Sequence, residues 1–317
     1  MEVDISLVFS SLVGLFMIMG VGIVAVKARI IPASVTKQLS NILIQITLPC
    51  TVFYSLITKD YDPDFLGDSL LCMGLCLLII VGGAACAFLM AKYLLRVRDG
   101  GQGVWAMACT FCNNGFIGYP IIQSLFGTDG LALAVMYGLV INVLTYSLGI
   151  WLITRDVESG DQGPRPKTGL RTMLFSNVNI ALFIGMIFYF CRIPFPQTLT
   201  LPVMHLANMT TPLSMFTTGA IMASSTIGDL FKDKDVYKAV FVRLLFYPLL
   251  LMLILKHLPI ANPLVYYVIA VTMMMPSPAI STILSDLYHG NRNLASKIVL
   301  ASSVCCVVTI PLLTTLL

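Results

Sequence analysis

Ten runs of mostly apolar residues, each close to the length of a bilayer-spanning helix, follow one another along this chain. They lie at about 5–28, 34–57, 65–94, 102–125, 129–153, 172–191, 198–224, 236–257, 263–286 and 294–316. Roughly 20 such residues are what a spanning helix needs. Of the 317 residues 58% are hydrophobic and 11% charged, whereas a soluble domain is about 25% charged. These runs predict an all-α integral membrane protein with ten transmembrane helices. The acidic start Met1-Glu2-Val3-Asp4 is unlike the basic n-region of a signal peptide, so the first run is expected to be retained.

Lysine and arginine concentrate in cytoplasmic loops. With the N-terminus outside, fifteen basic residues fall on the cytoplasmic side, and three, Lys59, Arg192 and Lys256, fall outside. Both termini are therefore expected outside, in a multi-pass protein of the cell membrane (plasma or inner). The net charge of +4 is that of the cytoplasmic loops and calls for no nucleic-acid partner. The nine cysteines all lie in apolar runs and read as small apolar filler. The Cys109-Thr110-Phe111-Cys112 spacing has no second pair or nearby His, so neither a metal nor a cofactor is expected.

The two halves of the chain align at a shift of 163 residues. Gly22 falls on Gly185, Arg29-Ile30 on Arg192-Ile193, Thr47 on Thr210, Pro49 on Pro212, Phe53 on Phe216 and Leu131-Ala132 on Leu294-Ala295. Five helices is an odd number, so the second half enters the membrane inverted. The expected domains are a first five-helix repeat at 1–153, a cytoplasmic linker at 154–170 and an inverted second repeat at 171–317. Inverted repeats are common among secondary transporters.

The shift also places Asn113 on Pro276 and Gly115 on Pro278. The stretch Cys112-Asn113-Asn114-Gly115-Phe116-Ile117-Gly118-Tyr119-Pro120 in run 4 thus pairs with Met275-Pro276-Ser277-Pro278-Ala279-Ile280-Ser281 in run 9. Glycine weakens a helix, and proline removes a donor and clashes with the preceding turn. Both runs are expected to break near mid-membrane, which is tolerated only where backbone lines a cavity or is buried in protein. Pro120 and Pro278 suit the first position of a restarting helix, and Ser277 its N-cap. Each restarted half presents free N–H groups and a partial positive charge, so two crossing breaks would attract an anion. Asn113 and Asn114 add amide donors.

All fifteen acidic residues lie at or near the ends of the runs, none at mid-membrane, which disfavours a proton or sodium relay. Asn41 and Gln45 in run 2, and Asn142, Thr145 and Tyr146 in run 5, either line the cavity or bond between helices. His205 reads as a hydrogen-bonded structural side chain or a proton-linked switch. Arg243, within run 8, reads as a snorkelling side chain near the cytoplasmic face rather than as a partner for substrate charge. Pro49 and Pro212 are expected to kink runs 2 and 7 as a matched pair.

With these residues the chain resembles the auxin efflux carrier family, whose bacterial members include permeases of small organic anions such as malate and malonate. The likeness spans essentially the whole chain. Its carriers are Asn113 with Gly118-Tyr119-Pro120, Pro276, Asn41 with Pro49 and Phe53, and Pro311. Asn113 stands seven residues before the crossover proline, as does the substrate-contacting Asn of the plant carriers. The resemblance implies two inverted five-helix repeats with broken crossover helices 4 and 9, an architecture like that of sodium–proton antiporters and bile-acid symporters. It implies a scaffold of helices 1, 2, 6 and 7, a transport domain of helices 3–5 and 8–10, dimerisation through the scaffold and elevator-like movement. The linker here is far shorter than the hydrophilic loop of the plant carriers. Ser277 and Ser281 stand where those carriers have a Gln and a second proline.

The expected function is secondary transport of a small organic anion such as a carboxylate. The expected substrate contacts are Asn113, Asn114, Gly115, Pro120, Pro276, Ser277, Pro278, Ser281, Asn41, Gln45 and Asn142. A membrane sensor that binds a small amphipathic ligand on the same fold is the alternative. No intramembrane Asp pair, metal-spaced His set or Gly-Xaa-Ser-Xaa-Gly elbow is present, so an enzyme is not expected.

Overall fold

A computed structural model of the chain describes residues 5–32, 34–155, 176–224 and 233–317. The expected linker at 154–170 lies almost wholly outside the described residues, as do Glu2, Asp4, Asp229 and Lys232. Every regular element among the described residues is a helix. In chain order they are α1 (Ile5–Lys27), α2 (Val35–Ile57), α3 (Phe65–Leu94), α4 (Gln102–Thr110), α5 (Tyr119–Leu144, continuing to Arg155), α6 (Asn177–Phe190), α7 (Gln197–Asn208), α8 (Thr210–Ser224), α9 (Lys234–Lys256), α10 (Pro263–Met273), α11 (Ile280–Leu287) and α12 (Arg292–Thr314). Among the described residues five stretches are long and apolar enough to cross a membrane, one of them the 54-residue stretch Gln102–Arg155, which holds two of the expected runs. Within it Gly127 takes φ 64°, ψ −155° and turns the chain between them. Large apolar side chains such as Leu70, Leu78, Val81, Leu253, Val308 and Leu312 face outward, as they do in a multi-pass membrane protein.

Three of the helix prolines share one device, which Pro202 and Pro311, inside α7 and α12, do without. Pro49, Pro120 and Pro248 each sit two residues after a π turn, over Leu43–Thr47, Asn114–Gly118 and Val242–Phe246 respectively. The wider turn spares the carbonyl that the proline ring would otherwise strike. α2 therefore runs on through Pro49, whereas the chain breaks at Met209 between α7 and α8, three residues before Pro212.

Contacts recur at positions 163 residues apart. Arg29 and Arg192 both turn left-handed after their helices, with φ of 58° and 53°. Each is followed by an isoleucine whose N–H returns to a carbonyl five residues back, Ile30 to Ala25 and Ile193 to Phe188. Gly22 of α1 packs directly on the Phe216 backbone of α8, where a side chain would not fit, and Gly185 of α6 packs against Phe53 and Leu56 of α2.

The polar ends of the helices gather in two groups. In one, Lys59 pairs with Asp129 at 2.7 Å, Asp62 bonds Tyr189, and Asp68 bonds Asn262. In the other, Asp235 pairs with Lys238 at 2.7 Å and accepts the Arg98 N–H, while Asp233 lies near Arg98 and Lys297. Cys72, Cys76, Cys109, Cys112 and Cys306 are buried free thiols.

Candidate functional site

Both expected breaks are present, and they touch. α4 ends at Thr110, Phe111 is extended, and helical structure resumes at Asn114. α10 ends at Met273, and α11 begins at Ile280. Between them the Asn113 N–H donates to the Pro276 carbonyl at 2.8 Å, joining the two positions that the 163-residue shift superimposes. The Asn113 side chain then caps its own restart, its Oδ1 accepting from Phe116 N at 3.3 Å. This leaves the amide nitrogen as a donor. Because the restart begins at Asn114, Pro120 does not hold its first position but follows the π turn Asn114–Gly118, whose wider spacing accommodates the ring.

The second break is built differently from the expectation. Ser277 does not cap a helix. Its hydroxyl donates 2.7 Å to the Ala108 carbonyl of α4, and its N–H donates to Ser302 Oγ of α12. α11 starts two residues beyond Pro278, with Ala279 at its N-cap. The reason is the carbonyl left free near the end of α4: a buried acceptor needs a partner, and Ser277 supplies it. Ser281 turns back on Pro278, its hydroxyl and its N–H both donating to that carbonyl.

A cavity of about 200 Å³ opens at the crossing, lined by Cys112, Asn113, Asn114, Gly115, Phe116, Ile141, Asn142, Thr145, Tyr146, Pro278, Ala279 and Ile280. Five of the expected contacts thus share one wall system: Asn113, Asn114, Gly115, Asn142 and Pro278. Pro276 and Ser277 lie in the second break, and Pro120 and Ser281 on the helices that follow the breaks; these four do not line the cavity. Asn41 and Gln45 lie apart, exposed on α2, and Gln45 Oε1 accepts from Asn177 of α6 at 2.8 Å. His205 is exposed on α7 and not enclosed in the structure.

Asn114 is the least satisfied polar group of the cavity wall. It is 5% exposed, and neither its amide oxygen nor its nitrogen meets a hydrogen-bond partner. An unmet buried polar group costs about 1–3 kcal/mol, so a ligand or water that bonds this amide is favoured. The amide is seated between two glycines, where a Cβ on Gly118 would come 2.8 Å from Oδ1 and one on Gly138 2.7 Å from Nδ2. The Gly138 contact joins positions 24 residues apart and has no signature in the local sequence.

Arg243 departs most from expectation. It does not snorkel: it is 1% exposed and lies on the π turn of α9, reaching the crossing. Its Nε donates to the Met275 carbonyl at 2.9 Å, and its Nη1 to the carbonyls of Cys109 and Thr110, each at 3.3 Å. The free carbonyls of two broken helices attract a cation more strongly than a distant interface does. A lone arginine in an apolar run was the available signal.

Two broken helices crossing around a small amide-lined cavity, in a multi-pass helical membrane protein, are features of a membrane transport protein. The family model described as "Membrane transport protein" matches residues 7–314. The chain belongs to that family, the auxin efflux carrier family. It is 25% identical over 278 residues to an uncharacterized transporter of Methanothermobacter thermautotrophicus, covering 87% of each chain. It is 24% identical over 195 residues to an uncharacterized transporter of Methanocaldococcus jannaschii, covering 60% of this chain and 61% of that one.

Proposed function

We propose that the protein is a secondary transporter of a small organic anion, binding a carboxylate in the cavity where the two broken helices cross. The observation that carries this reading is the Asn113–Pro276 bond, with the unpartnered Asn114 amide beside it. Among the described residues no Asp or Glu lines the cavity. A site of amide donors and helix N-termini favours negative charge. A volume of about 200 Å³ is below the roughly 300–1,000 Å³ of drug-sized pockets, which favours acids of few carbons.

On this reading the ten runs are ten crossings in two inverted repeats, with both termini outside. The matched left-handed turns at Arg29 and Arg192 support the repeat. The two groups of polar contacts support the crossing count, since each joins loops that ten crossings place on one side. α1, α2, α6, α7 and α8 form a scaffold, through which two copies dimerise. The remaining helices move as an elevator. From α5 the cavity is lined by Ile141, Asn142, Thr145 and Tyr146, and on this reading the Arg155 end of that helix is the cytoplasmic side. Lys59–Asp129, Thr211–Gln123 and the Ser214 hydroxyl on the Phe116 carbonyl hold scaffold to transport domain.

The test is a thermal-shift screen of the purified protein against malonate, malate, benzoate, deoxycholate and the amine putrescine, followed by uptake into proteoliposomes. Stabilisation and uptake of a short carboxylate are expected. Stabilisation without uptake would make the protein a sensor, and a response to amines alone would overturn the anion site.

A further inference from the structure

Arg243 carries a full positive charge into the interior without an acidic partner. Among the described residues no Asp or Glu forms an ion pair with it. Its three oxygen acceptors among the described residues are backbone carbonyls, two near the end of α4 and one just past the end of α10. Nη2 is buried with no partner. The guanidinium also lies beside Cys112, a wall of the cavity.

Those carbonyls are free because each helix stops there, and a helix leaves its last C=O groups without intrahelical partners. In transporters with broken helices, unwound carbonyls and half-helix C-termini are where a coupling sodium ion or proton is held. Here three such oxygens, from both breaks, converge on a side chain.

The charge count shows what this does. A helix end carries about half an elementary charge, positive at the N-terminus and negative at the C-terminus. Two breaks create two ends of each sign at one crossing, so the four contributions sum to about zero. Arg243 leaves the crossing with about one net positive charge, and the half-helix C-termini offset its own desolvation cost.

We propose that Arg243 is a resident cation: its guanidinium fills a carbonyl cage formed by both broken helices, a cage that would otherwise take a small monovalent metal ion. It is a positioning residue, setting the sign of the site from behind. The link to a carboxylate substrate rests on the anion-transport reading above. The cage does not.

The experiment therefore uses no substrate. Full-length wild type, Arg243→Lys and Arg243→Gln are purified, and thermal unfolding is followed as NaCl replaces N-methyl-D-glucamine chloride at constant ionic strength. Wild type should show the same Tm in both salts, and Arg243→Lys should stay close to it, because an ammonium keeps the charge. Arg243→Gln should lose roughly 5–10 °C in the sodium-free salt, and its Tm should climb with the logarithm of sodium concentration as sodium enters the emptied cage. A Gln variant equally destabilised in both salts would overturn the proposal, as would a wild type that sodium stabilises. If the Gln variant does not fold, Arg243→Lys decides: a Lys protein that also fails, in either salt, makes guanidinium shape the requirement and overturns the resident-cation role. A carboxylate screen on the same proteins tests the anion reading separately.

Discussion

Asn113→Asp separates charge from architecture at the crossing. The Asn113 side chain serves as a cap, its Oδ1 accepting the Phe116 N–H at 3.3 Å. A carboxylate accepts that bond equally well and is favoured at a helix N-terminus, so Asn113→Asp should unfold close to wild type. Alanine removes the cap and should cost about 1 kcal/mol of stability. Binding should follow the opposite order. Alanine loses one hydrogen bond to a charged ligand, about 1.5–3 kcal/mol or roughly 10- to 150-fold in affinity. The aspartate loses that bond and adds repulsion. Residue 113 lines a cavity of about 200 Å³, so a bound carboxylate lies near it. At a separation of about 5 Å and an effective dielectric constant near 20, two like charges repel by about 3 kcal/mol, a further factor on the order of 100. The assay is titration of each protein, at matched expression and with Tm recorded, with the carboxylate selected by the thermal-shift screen. An aspartate variant that binds the anion as well as wild type does would refute the positive crossing.

Three further outcomes are expected. Gly138→Ala, whose methyl group would strike Tyr119 and the Asn114 amide, should lower stability by about 1–3 kcal/mol. Gly74→Ala, with nothing within 4 Å, should not, and equal Tm values for the two would sink the packing argument. Leu316→Cys should react with an impermeant thiol reagent on intact cells; reaction only after permeabilisation would reverse the proposed orientation. In a cysteine-free background, Asp129→Asn should speed external modification of Asn114→Cys by roughly 1.5- to 5-fold, the range of a partly exposed ion pair. An unchanged rate would remove the Lys59–Asp129 pair as a latch.

What the sequence makes legible here follows from how far each effect reaches along the chain. Glycine and proline act on the turn that contains them, so both breaks can be placed within a few residues, at Phe111–Asn113 and Met274–Ala279. The crossing partner of Asn113 is also legible, because a shift of 163 residues names Pro276. The lining of the cavity by Asn142, Thr145 and Tyr146 is only half legible: helical spacing puts them together but leaves their direction open. The hydroxyl of Ser277 illustrates the next level. Its residue type suits a cap, yet the acceptor that claims it, Ala108, sits on a helix 169 positions away. Arg243 lies at the far end of this scale. A lone arginine in an apolar run reads as a snorkelling side chain, until its depth is compared with nearby breaks. It stands nine residues from the start of α9, about 14 Å along the helix. α4 breaks after nine residues of its own, at nearly the same depth. Two free helix ends at the depth of an unpaired cation favour a bond between them over a long stretch to the interface, because the carbonyls need a donor as much as the charge needs acceptors. A break in one run therefore changes the meaning of a charge in another.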